Sequence, residues 1–571
     1  MTLAEKIGQM TQVDKGSITP AEVADHHIGS VLSGGGGNPS VNSPDAWRDM
    51  VHSYLEAGRD TRLGIPVVYG VDAVHGHSNV RGATIFPHNI GIGAACDVDL
   101  VTRIGRATAQ EMAATGVRWT FAPTVAVPQD IRWGRTYEGY ARDPAVVAQL
   151  GAGLVAGLRD ASGGNTPVMA CLKHYVGDGG TAWGSVTPPA WVDWWKEWGP
   201  QWRIDQGDVR VSEDVLRSRH LPPYLAGIDA GAETVMASYS SWNGEKLHGH
   251  HQLLTQVLKQ ELGFGGFVVT DWMGVDQLES SYAASVAQAI NAGIDMVMVP
   301  FDFRRFIDVV TRAATDGLIS MERIDDAVRR ILAAKASSGL TDPSMVDPPL
   351  EVVGAAEHRA LAAEAARRSV VLLADNGLLP LRPATEPLYL AGVAADDMGL
   401  QCGGWTIEWQ GAVGGITEGT TFRQALATPG LDVRYAADGR FAGDEKLPIG
   451  IVCLAEEPYA EGVGDCAVPD VRAEDRVVFA RMRERCERLV LVVYSGRPLV
   501  ITDLIEASDA VVAAWLPGTE ATELPGLLFG RWPFEGRLPQ PWPHSADELG
   551  DPETSPRYAA GHALTIGGVN G

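Results

Sequence analysis

The chain has 571 residues, and its 71 Asp and Glu against 46 Lys and Arg give a formal net charge of −25. Hydrophobic residues make up 45% and charged residues 20% of the chain, which is ordinary for a globular protein and excludes a largely disordered, collagen-like or disulfide-stapled chain. Binding to nucleic acid or to anionic membranes depends on basic side chains that contact phosphates, so this acidic chain is a poor general binder of either. The net negative charge is compatible with an uncharged substrate, although the need to solvate the protein surface explains this charge equally well.

The first residues and the cysteines help to predict the cellular compartment of the protein. The sequence has no uncharged apolar stretch of about 18 residues, so it predicts no membrane span. The first residues, MTLAEKIGQM, are typical of a helix start and not of a signal peptide. We therefore expect a cytoplasmic protein, or a secreted one whose leader has been removed. The six cysteines lack the spacing of metal ligands and are interpreted as mostly free thiols, although Cys453 and Cys466 could pair across a loop.

Short apolar runs alternate with amphipathic helical patterns throughout residues 1–338. Eight runs begin at Ile28, Pro66, Ile90, Trp119, Val168, Thr234, Phe267 and Ile294. Each run has the two-sided apolar character of a strand buried in a parallel sheet. Eight such strands with helices between them predict a (β/α)8-type barrel, and a doubly wound sheet is the alternative.

The remaining chain predicts a linker and a second α/β domain. The segment ASSGLTDPSMVDPPLEVV, from Ala336, is rich in Pro, Ser and Gly, as a linker would be, and the linker is predicted at residues 339–356. A helix is predicted from Glu357, and six further apolar runs begin at Val370, Leu388, Leu431, Ile449, Leu489 and Ala510. Residues 357–571 are therefore predicted to form a smaller α/β sandwich domain with an open, mostly parallel sheet.

One segment, between Gly179 and Val209, interrupts this pattern. It contains six of the chain's 16 tryptophans: Trp183, Trp191, Trp194, Trp195, Trp198 and Trp202. A long loop after a barrel strand could form a wall of an active site, where aromatic faces stack on the C–H faces of sugars. A small hydrophobic plug packed on a neighbouring domain or chain explains the segment equally well.

Polar residues follow several of the predicted barrel strands at their carboxyl ends, where barrel enzymes carry their functional groups. These residues, with Met236 on the sixth strand, are Asp72, Arg135, Lys173, His174, Tyr239 and Asp271. Any one of them alone is better explained as a structural polar group, but five strands that end this way indicate a site. Carboxylates that accept hydrogen bonds and cations that donate them suit a neutral polyol. The sequence contains no phosphate loop, no HExxH motif, no nucleophile elbow and no dinucleotide-binding GxGxxG pattern.

Glycoside cleavage would need two carboxyl groups on either side of the scissile bond. Asp271 fits the nucleophile, because it follows the apolar run FVVT and precedes an aromatic residue, which predicts a partly buried position at the barrel mouth. Lys173 and Arg135 would keep it ionised. The acid/base partner must keep a proton near neutral pH and is expected in a drier or more acidic setting.

Seven motifs together resemble those of glycoside hydrolase family 3: GVDAVHG, RWGRTYE, KHYVGDGGT, SYSSWNG, VVTDW, CGGWTIEWQG and EEPYAEGVGD. The resemblance covers nearly the whole chain in the right order and is greatest to the β-glucan exohydrolase and β-glucosidase branch. It implies that a barrel Asp is the nucleophile and that the second domain supplies the acid/base Glu. KHYVGDGGT does not match the pattern of the N-acetylglucosaminidase branch. This chemistry requires no metal and no organic cofactor.

By motif match, the resemblance implies that Asp271 is the nucleophile and that Glu461 is the acid/base, with Glu456 and Glu457 as alternatives. It implies that glucose is bound by Asp72, Arg135, Lys173, His174, Met236 and Tyr239. It also implies an aromatic clamp around the next sugar, for which the candidates are Trp272, Trp405 and Trp409.

Two departures from the family pattern leave the substrate open. The family usually carries an Arg six positions after the nucleophile, where this chain has Gln277. The Trp-rich segment stands where the plant enzymes have a shorter loop with a sugar-contacting carboxylate, which Asp205 or Asp208 could replace.

The sequence therefore predicts a retaining, exo-acting β-glucosidase that releases glucose from the non-reducing end of β-linked gluco-oligosaccharides or β-glucosides. A β-xylosidase or an aglycone-glycoside hydrolase of the same family is the alternative. A catalytically silent sugar-binding protein is a more distant one, against which the presence of both Asp271 and Glu461 argues. We expect a small-molecule glucoside or β-gluco-oligosaccharide as the partner, neither nucleic acid nor membrane, and a monomer or homodimer.

Overall fold

The computed structural model describes residues 1–162, 166–193, 202–342, 344–382, 387–550 and 555–566. The chain divides into two compact units, each made of segments that are separate in sequence. The first unit comprises Met1–Ala83, Val101–Val127 and Val147–Val353, and the second comprises Thr84–Leu100, Pro128–Val146 and Gly354–Gly571. The domain limits at 1–338, 339–356 and 357–571 stay predictions.

Strands of the first unit form the expected barrel. In its described part they are β1 (Thr11–Asp14), β2 (Ser30–Ser33), β3 (Val68–Val71), β4 (Trp119–Thr120), β5 (Cys171–Tyr175), β6 (Asp208–Val209), β7 (Thr234–Ala237), β8 (Ser241–Trp242), β9 (Glu245–Lys246), β10 (Phe267–Val269) and β11 (Val297–Met298). Two parallel sheets have the orders β11-β1-β2-β3-β4 and β10-β7-β5, and β6, β8 and β9 form a small separate sheet. Parallel bridges join the five-stranded sheet to the sheet β10-β7-β5 at both edges: Trp119 to Met169, Thr124 to Lys173 and Val269 to Met296. Eight parallel strands thus close on themselves, and the predicted (β/α)8-type barrel is confirmed.

Helices lie between most of these strands. Among the described residues up to 353 they are Leu3–Gln9, Pro20–Asp25, Pro44–Arg59, Asn89–Ala95, Val98–Ala114, Pro144–Leu158, Glu213–Val215, Pro222–Asp229, Tyr282–Ala292, Phe303–Thr315 and Met321–Ser337, with π-helical segments Leu216–His220 and Gln252–Glu261. Local sequence explains where several begin. Thr2, Thr19 and Ser43 each cap a helix, since the side-chain oxygen accepts a hydrogen bond from the backbone N–H three residues on. The predicted helix at the start of the chain is confirmed.

One predicted strand is wrong. The run that begins at Ile90 forms the helix Asn89–Ala95, which ends at Cys96 in a left-handed conformation with φ of 49°. A short, fully buried apolar run has the same composition in a helix as in a strand, so periodicity could not separate the two. The barrel strand that the sequence missed is β1, whose residues TQVD are largely polar. Gln12 is nevertheless buried there, and its Nε2 donates to Ser30 Oγ at 2.8 Å.

The second unit contains one open sheet, as predicted. Its strands are β12 (Val371–Asp375), β13 (Leu388–Ala391), β14 (Val433–Ala436), β15 (Leu447–Ala455), β16 (Cys486–Tyr494) and β17 (Ala510–Trp515), in the order β12-β17-β16-β15-β13-β14. Within the described residues, β12 pairs with β17 antiparallel and the other neighbours pair parallel. The central strands are apolar on both faces because both faces are covered. The helices from residue 354 onward are Ala356–Ser369, Met398–Cys402, Phe422–Leu426, Ala473–Arg485, Thr502–Glu506 and Leu524–Leu528.

Two further observations bear on the sequence-based expectations. All six cysteines are free thiols in the structure, and Cys453 is buried in β15. Among the helices that the structure describes, none has both the length and the apolar character that a membrane span requires.

Candidate active site

In the first unit, the ends of three barrel strands bring four of the predicted residues into one cluster. Asp72 follows β3, Lys173 and His174 lie in β5, and Asp271 follows β10 after one residue. Lys173 Nζ donates to Asp72 Oδ1 at 2.7 Å, and His174 Nε2 lies 3.5 Å from Asp271 Oδ2. The cluster forms because the carboxyl ends of parallel strands meet at one end of a barrel.

His174 is held by a residue that the sequence analysis did not select. Its Nδ1 lies 2.9 Å from Asp178 Oδ2, and both side chains are buried. The Asp178 carboxylate accepts the Nδ1–H, which fixes the ring so that Nε2 faces Asp271. Asp178 belongs to the same motif, KHYVGDGGT, and its place four residues after a candidate His was the available signal.

The backbone and the carboxylate of Asp271 are both fixed. Its backbone N–H donates to His248 Nε2 at 3.1 Å, and its Oδ1 accepts from the Trp272 N–H at 2.7 Å. Burial lowers the pKa of His248 to about 3, so the ring is neutral and its Nε2 can act as an acceptor. Asp271 is thus oriented by groups on its own loop and on a neighbouring loop.

The sixth barrel strand contributes the remaining predicted residues of the first unit. Met236 is buried within β7, and Tyr239 is buried just beyond its end. The Tyr239 hydroxyl donates to the Trp272 carbonyl oxygen. The Trp272 ring is half-buried and meets the ring of Phe301 edge-on, with 5.5 Å between centroids. The structure therefore brings Tyr239 and Trp272 together beside Asp271.

In the second unit, Arg135 lies in a buried network of charged and aromatic groups. Its Nε and Nη2 donate to the two oxygens of Glu138, each at 2.9 Å, and its Nη1 lies 3.4 Å from Glu461 Oε1. Trp405 Nε1 donates to Glu138 Oε1 at 3.0 Å, and the guanidinium lies 5.9 Å from the Trp405 ring centroid. Glu138 thus holds both Arg135 and Trp405, although the sequence analysis did not select it. Its spacing of three residues from Arg135 was the only signal.

Glu461 lies on a turn that packs tightly against the loop of Arg135. It begins the 3-10 turn Glu461–Gly464 with φ of 55°. A Cβ on Gly134 would lie 2.0 Å from the Glu461 carbonyl oxygen, so this backbone approach requires glycine. The Tyr137 hydroxyl also donates to the Tyr459 carbonyl oxygen at 2.6 Å. The two loops are positioned by backbone contact within the second unit.

The structure distinguishes Glu461 from its two neighbours. Glu456 is buried and accepts hydrogen bonds from Arg497 Nε at 2.9 Å, from the Tyr459 hydroxyl at 3.0 Å and from the Gly496 N–H at 3.0 Å. The side chain of Glu457 is 57% exposed and lies 3.6 Å from Arg472. Of the three carboxylates, that of Glu461 lies beside Arg135.

The third aromatic candidate, Trp409, lies on the same hairpin as Trp405. The Trp405 N–H donates to the Trp409 carbonyl oxygen at 2.9 Å, and the Trp409 side chain is half-buried. Trp405 has a φ of 57°, so the turn is not helical despite the four-residue spacing.

Comparison with known proteins agrees with this arrangement. Residues 2–334 match the model of the Glycosyl hydrolase family 3 N terminal domain, and residues 370–566 match that of the Glycosyl hydrolase family 3 C-terminal domain. The chain belongs to glycosyl hydrolase family 3. The expected family, and with it the expectation of a glycoside hydrolase, is confirmed.

Several relatives of this family 3 chain have been named or solved. A "Lysosomal beta glucosidase" of Dictyostelium discoideum is 30% identical over 97% of this chain and 72% of its own length. A "Periplasmic beta-glucosidase" of Salmonella typhimurium is 27% identical over 96% of this chain and 74% of its own. The crystal structure of an exo-1,3/1,4-beta-glucanase from a Pseudoalteromonas species is 37% identical, with a TM-score of 0.89 over 99% of this chain and 73% of that one.

The Trp-rich segment of this family 3 chain is described in part. Trp194, Trp195 and Trp198 lie outside the described residues. Trp202 is buried against Val192 of the same segment. Trp191 is 46% exposed, and its Nε1 donates to the Asp276 carbonyl oxygen at 3.0 Å, five residues after Asp271. Trp202 and Val192 therefore pack within the segment itself, while Trp191 contacts the loop that follows the predicted nucleophile, and the choice between an active-site wall and a plug stays a prediction.

The two carboxylates considered for this segment lie near its end. Asp205 is buried, and Asp208 Oδ1 accepts from the Gly244 N–H at 2.8 Å. Asp208 thus anchors the β8–β9 hairpin. Within the part of the chain that the structure describes, no group of three or more His, Cys, Asp or Glu side chains is arranged to hold a metal ion.

Proposed function

We propose that this family 3 chain is a retaining, exo-acting β-glucosidase, with Asp271 as the nucleophile and Glu461 as the acid/base. The observation that carries the proposal is the setting of the Asp271 carboxylate. One of its oxygens accepts the Trp272 N–H, and the other lies 3.5 Å from a His174 ring that Asp178 orients. A carboxylate held in one direction in a partly buried site is suited to in-line attack. The beta-glucosidase and exo-beta-glucanase names of the relatives support the same activity.

In the first step the Asp271 carboxylate forms a bond to C1 of the terminal glucosyl unit. Glu461 gives its proton to the glycosidic oxygen, so the C1–O bond breaks and the aglycone leaves as a neutral alcohol. A covalent glucosyl–Asp271 ester remains. In the second step the Glu461 carboxylate takes a proton from water while the water oxygen bonds to C1, and the bond between C1 and the Asp271 oxygen breaks with its electron pair returning to the carboxylate. Glucose leaves with its original β configuration, and both carboxyl groups return to their starting states.

Polar side chains of the candidate site would bind the glucosyl unit. Asp72 and Lys173 form a pair at 2.7 Å that offers a hydrogen-bond acceptor and a donor to adjacent hydroxyls, and His174 lies beside Asp271. Met236 and Tyr239 supply apolar surface and an orienting hydroxyl. Arg135, held in a bidentate bond by Glu138, would donate to a further hydroxyl.

Aromatic residues would bind the sugar that follows. Trp272 is next to Asp271 and half-buried, and Trp405 and Trp409 lie on one hairpin of the second unit. Aromatic faces stack on pyranose rings whatever the direction of the hydroxyls, so such a clamp tolerates more than one linkage. We infer that the substrates are β-linked gluco-oligosaccharides or aryl β-glucosides. We further propose a cytoplasmic enzyme, and a monomer or homodimer, to be tested by fractionation of the source cells and by light scattering.

The experiment that tests the function is hydrolysis of a substrate panel with the product anomer followed by NMR. The panel contains the β-1,2, β-1,3, β-1,4 and β-1,6 glucose disaccharides, an aryl β-glucoside and an aryl β-xyloside. We expect β-glucose to appear first and the aryl glucoside to be cleaved faster than the xyloside. Initial release of α-glucose would contradict retention, and faster cleavage of the xyloside would favour a β-xylosidase.

Matched variants assign the nucleophile in the same assay. Asp271→Asn should lose essentially all turnover while keeping the circular dichroism spectrum of the wild type. Asp308→Asn is the control, because this carboxylate lies on the helix Phe303–Thr315 with 71% of its side chain exposed. Full activity in Asp271→Asn would overturn the assignment.

A further inference from the structure

Two basic side chains that the proposed chemistry does not use, the half-buried Lys246 and the buried His248, lie against the turn that follows Asp271. Lys246 ends β9, and His248 lies in the short 3-10 turn Leu247–Gly249 that comes next. The turn they contact runs from Asp271 to Gln277 and is called the nucleophile loop below. Each basic residue contacts a different end of this loop.

His248 contacts the beginning of the nucleophile loop. Its Nε2 accepts the backbone N–H of Asp271 at 3.1 Å, and burial lowers the pKa of the ring to about 3, so the acceptor lone pair persists at neutral pH. A Cβ on Gly274 would lie 2.3 Å from the same Nε2. The imidazole is therefore packed inside the curve of the loop, and glycine at position 274 makes room for it.

Lys246 contacts the far end of the nucleophile loop. Its Nζ donates to Gln277 Oε1 at 2.9 Å and to the Tyr239 carbonyl oxygen at 2.6 Å. The Tyr239 hydroxyl in turn donates to the Trp272 carbonyl oxygen. These three hydrogen bonds connect the nucleophile loop to the end of β7 and to the end of β9.

Lys246 lies near two carboxylates, and its partner Gln277 makes a second hydrogen bond. Gln277 Nε2 donates to Gln206 Oε1 at 3.0 Å, and this bond connects the nucleophile loop to the end of the Trp-rich segment. Burial lowers the pKa of Lys246 to about 8, while the nearby charges of Asp208 and Asp205 act to raise it. The group is therefore mainly an ammonium at neutral pH, with three protons to donate.

We propose that Lys246 and His248 are positioning residues that hold the nucleophile loop at both ends and so aim the Asp271 carboxylate at the anomeric carbon. The inference rests on the proposed function, since it takes Asp271 as the nucleophile. A displacement of about 1 Å at a reacting atom can cost about 100-fold in rate. Gln277, in place of the Arg usual in the family, gives this loop an acceptor that the half-buried Lys246 ammonium can bind.

Covalent trapping measures the attack of Asp271 on C1, which is the step that Lys246 and His248 are proposed to assist. The probe is 2-deoxy-2-fluoro-β-glucosyl fluoride, with which the Asp271 carboxylate forms its bond to C1 while fluoride leaves with the C1–F electron pair. Fluoride needs no proton, so the rate is independent of the acid Glu461. Peptide mass spectrometry identifies the labelled residue, and the dependence on probe concentration separates the trapping rate at saturation from the binding of the probe.

We expect Lys246→Met to slow trapping at saturation by about 10- to 100-fold and to change the binding of the probe less than threefold. Gln277→Leu, which removes the acceptor, should have a similar effect. Because both substitutions remove the same hydrogen bond between Lys246 and Gln277, the double variant should be slowed by less than the product of the two single effects. His248→Phe keeps a ring of similar size but removes the acceptor of the Asp271 N–H, and it should also slow trapping.

A buried lysine of the same unit, Lys259, provides the control. Lys259 Nζ donates to Asp295 Oδ1 at 2.8 Å, and burial lowers its pKa to about 8 as well. Lys259→Met should lower the melting temperature but leave the trapping rate unchanged. If Lys246→Met and Gln277→Leu are trapped as fast as the wild type, the positioning role is wrong while the proposed function stands. The same holds if the double variant is slowed by the full product of the two single effects. If the wild type carries the label on a residue other than Asp271, both proposals fall.

Discussion

The carboxylates of the candidate site differ at the residue scale in how they are bound. Glu138 accepts two hydrogen bonds from Arg135 and one from Trp405, and Glu456 accepts three from Arg497, Tyr459 and Gly496. Such saturated, buried groups hold their neighbours in place. Glu461 lies on a turn with its Oε1 3.4 Å from Arg135. The buried, multiply bonded settings of Glu138 and Glu456 suit positioning roles, whereas proton transfer by Glu461 stays a prediction from its motif.

Glu461→Ala should separate substrates by their leaving groups. Without the acid, turnover of a glucose disaccharide should fall by about 100-fold or more, because general acid catalysis contributes about 10²–10⁴-fold. Cleavage of an activated aryl glucoside should fall much less, since its leaving group needs little protonation. Steady-state rates on the two substrates check this, with the exposed neighbour in Glu457→Ala as the control. An equal fall on both substrates would exclude Glu461 as the general acid.

Glu138→Gln should weaken both the fold and glucose binding. Gln keeps the shape and the bond from Trp405 but removes the negative charge that balances the buried Arg135, which should cost about 1–3 kcal/mol in the free energy of unfolding. Urea unfolding and inhibition by glucose measure the two effects. Glu523→Gln is the matched control, because its bond to Arg367 at 2.8 Å lies nearer the surface and should contribute less than about 1 kcal/mol.

At the scale of elements, short turns place the candidate residues. Arg135 and Glu138 lie in and beside the 3-10 turn Thr136–Glu138, Glu461 begins another, and Asp271 precedes a third at Gly274–Gln277. Tight turns of this kind allow a side chain to leave the end of a strand in a direction that a regular helix would not permit. The apolar strands behind them form the rigid support.

Gly134→Ala should inactivate the enzyme without unfolding it. The added Cβ would lie 2.0 Å from the Glu461 carbonyl oxygen, so the turn that carries Glu461 must move. We expect turnover of a glucose disaccharide to fall by about 100-fold, as for a displacement of about 1 Å. Gly415→Ala is the control, because a Cβ at that position has open space around it. Wild-type activity in Gly134→Ala would show that the turn tolerates the shift.

At the scale of the whole molecule, buried lysines make stability depend on pH. Lys335, on the helix Met321–Ser337, donates to Gln9 Oε1, the Gly29 carbonyl oxygen and the Pro66 carbonyl oxygen, each at 2.8 Å. Burial lowers its pKa to about 7 from the ordinary 10.5. At a pH between about 7 and 10.5, the Lys335 side chain is protonated in the unfolded chain and deprotonated in the folded chain. The contribution of Lys335 to the free energy of unfolding therefore rises with pH across this window and is constant below it.

Lys335→Met should remove this pH dependence. We expect the stability of the wild type relative to the variant to increase from pH 7 to pH 9 by up to about 1.4 kcal/mol per pH unit. Urea unfolding at several pH values measures the difference. Lys446→Met, at an exposed position, should show no such trend. A difference that stays constant across the window would mean that Lys335 keeps its proton in the folded protein.

The sequence by itself determined the family, the barrel followed by an open sheet, and thirteen of the fourteen predicted strands. It could do so because apolar runs, turns and short motifs are local, and a buried strand is recognisable within a few residues. The exception was the buried run at Ile90, where local composition does not separate helix from strand. The strand β1 was missed because its polar Gln12 is satisfied by Ser30, 18 residues away.

Only the tertiary structure decided which groups meet within each unit. Glu138 joins Trp405 across 267 residues, His248 accepts the N–H of Asp271 across 23, and Lys246 reaches Gln277 across 31. A buried polar side chain is placed by whichever partner the packed fold brings within hydrogen-bond distance, and sequence spacing carries no record of that partner. The residues of the chemistry could therefore be selected from motifs, whereas the residues that aim them became visible only when the chain was folded.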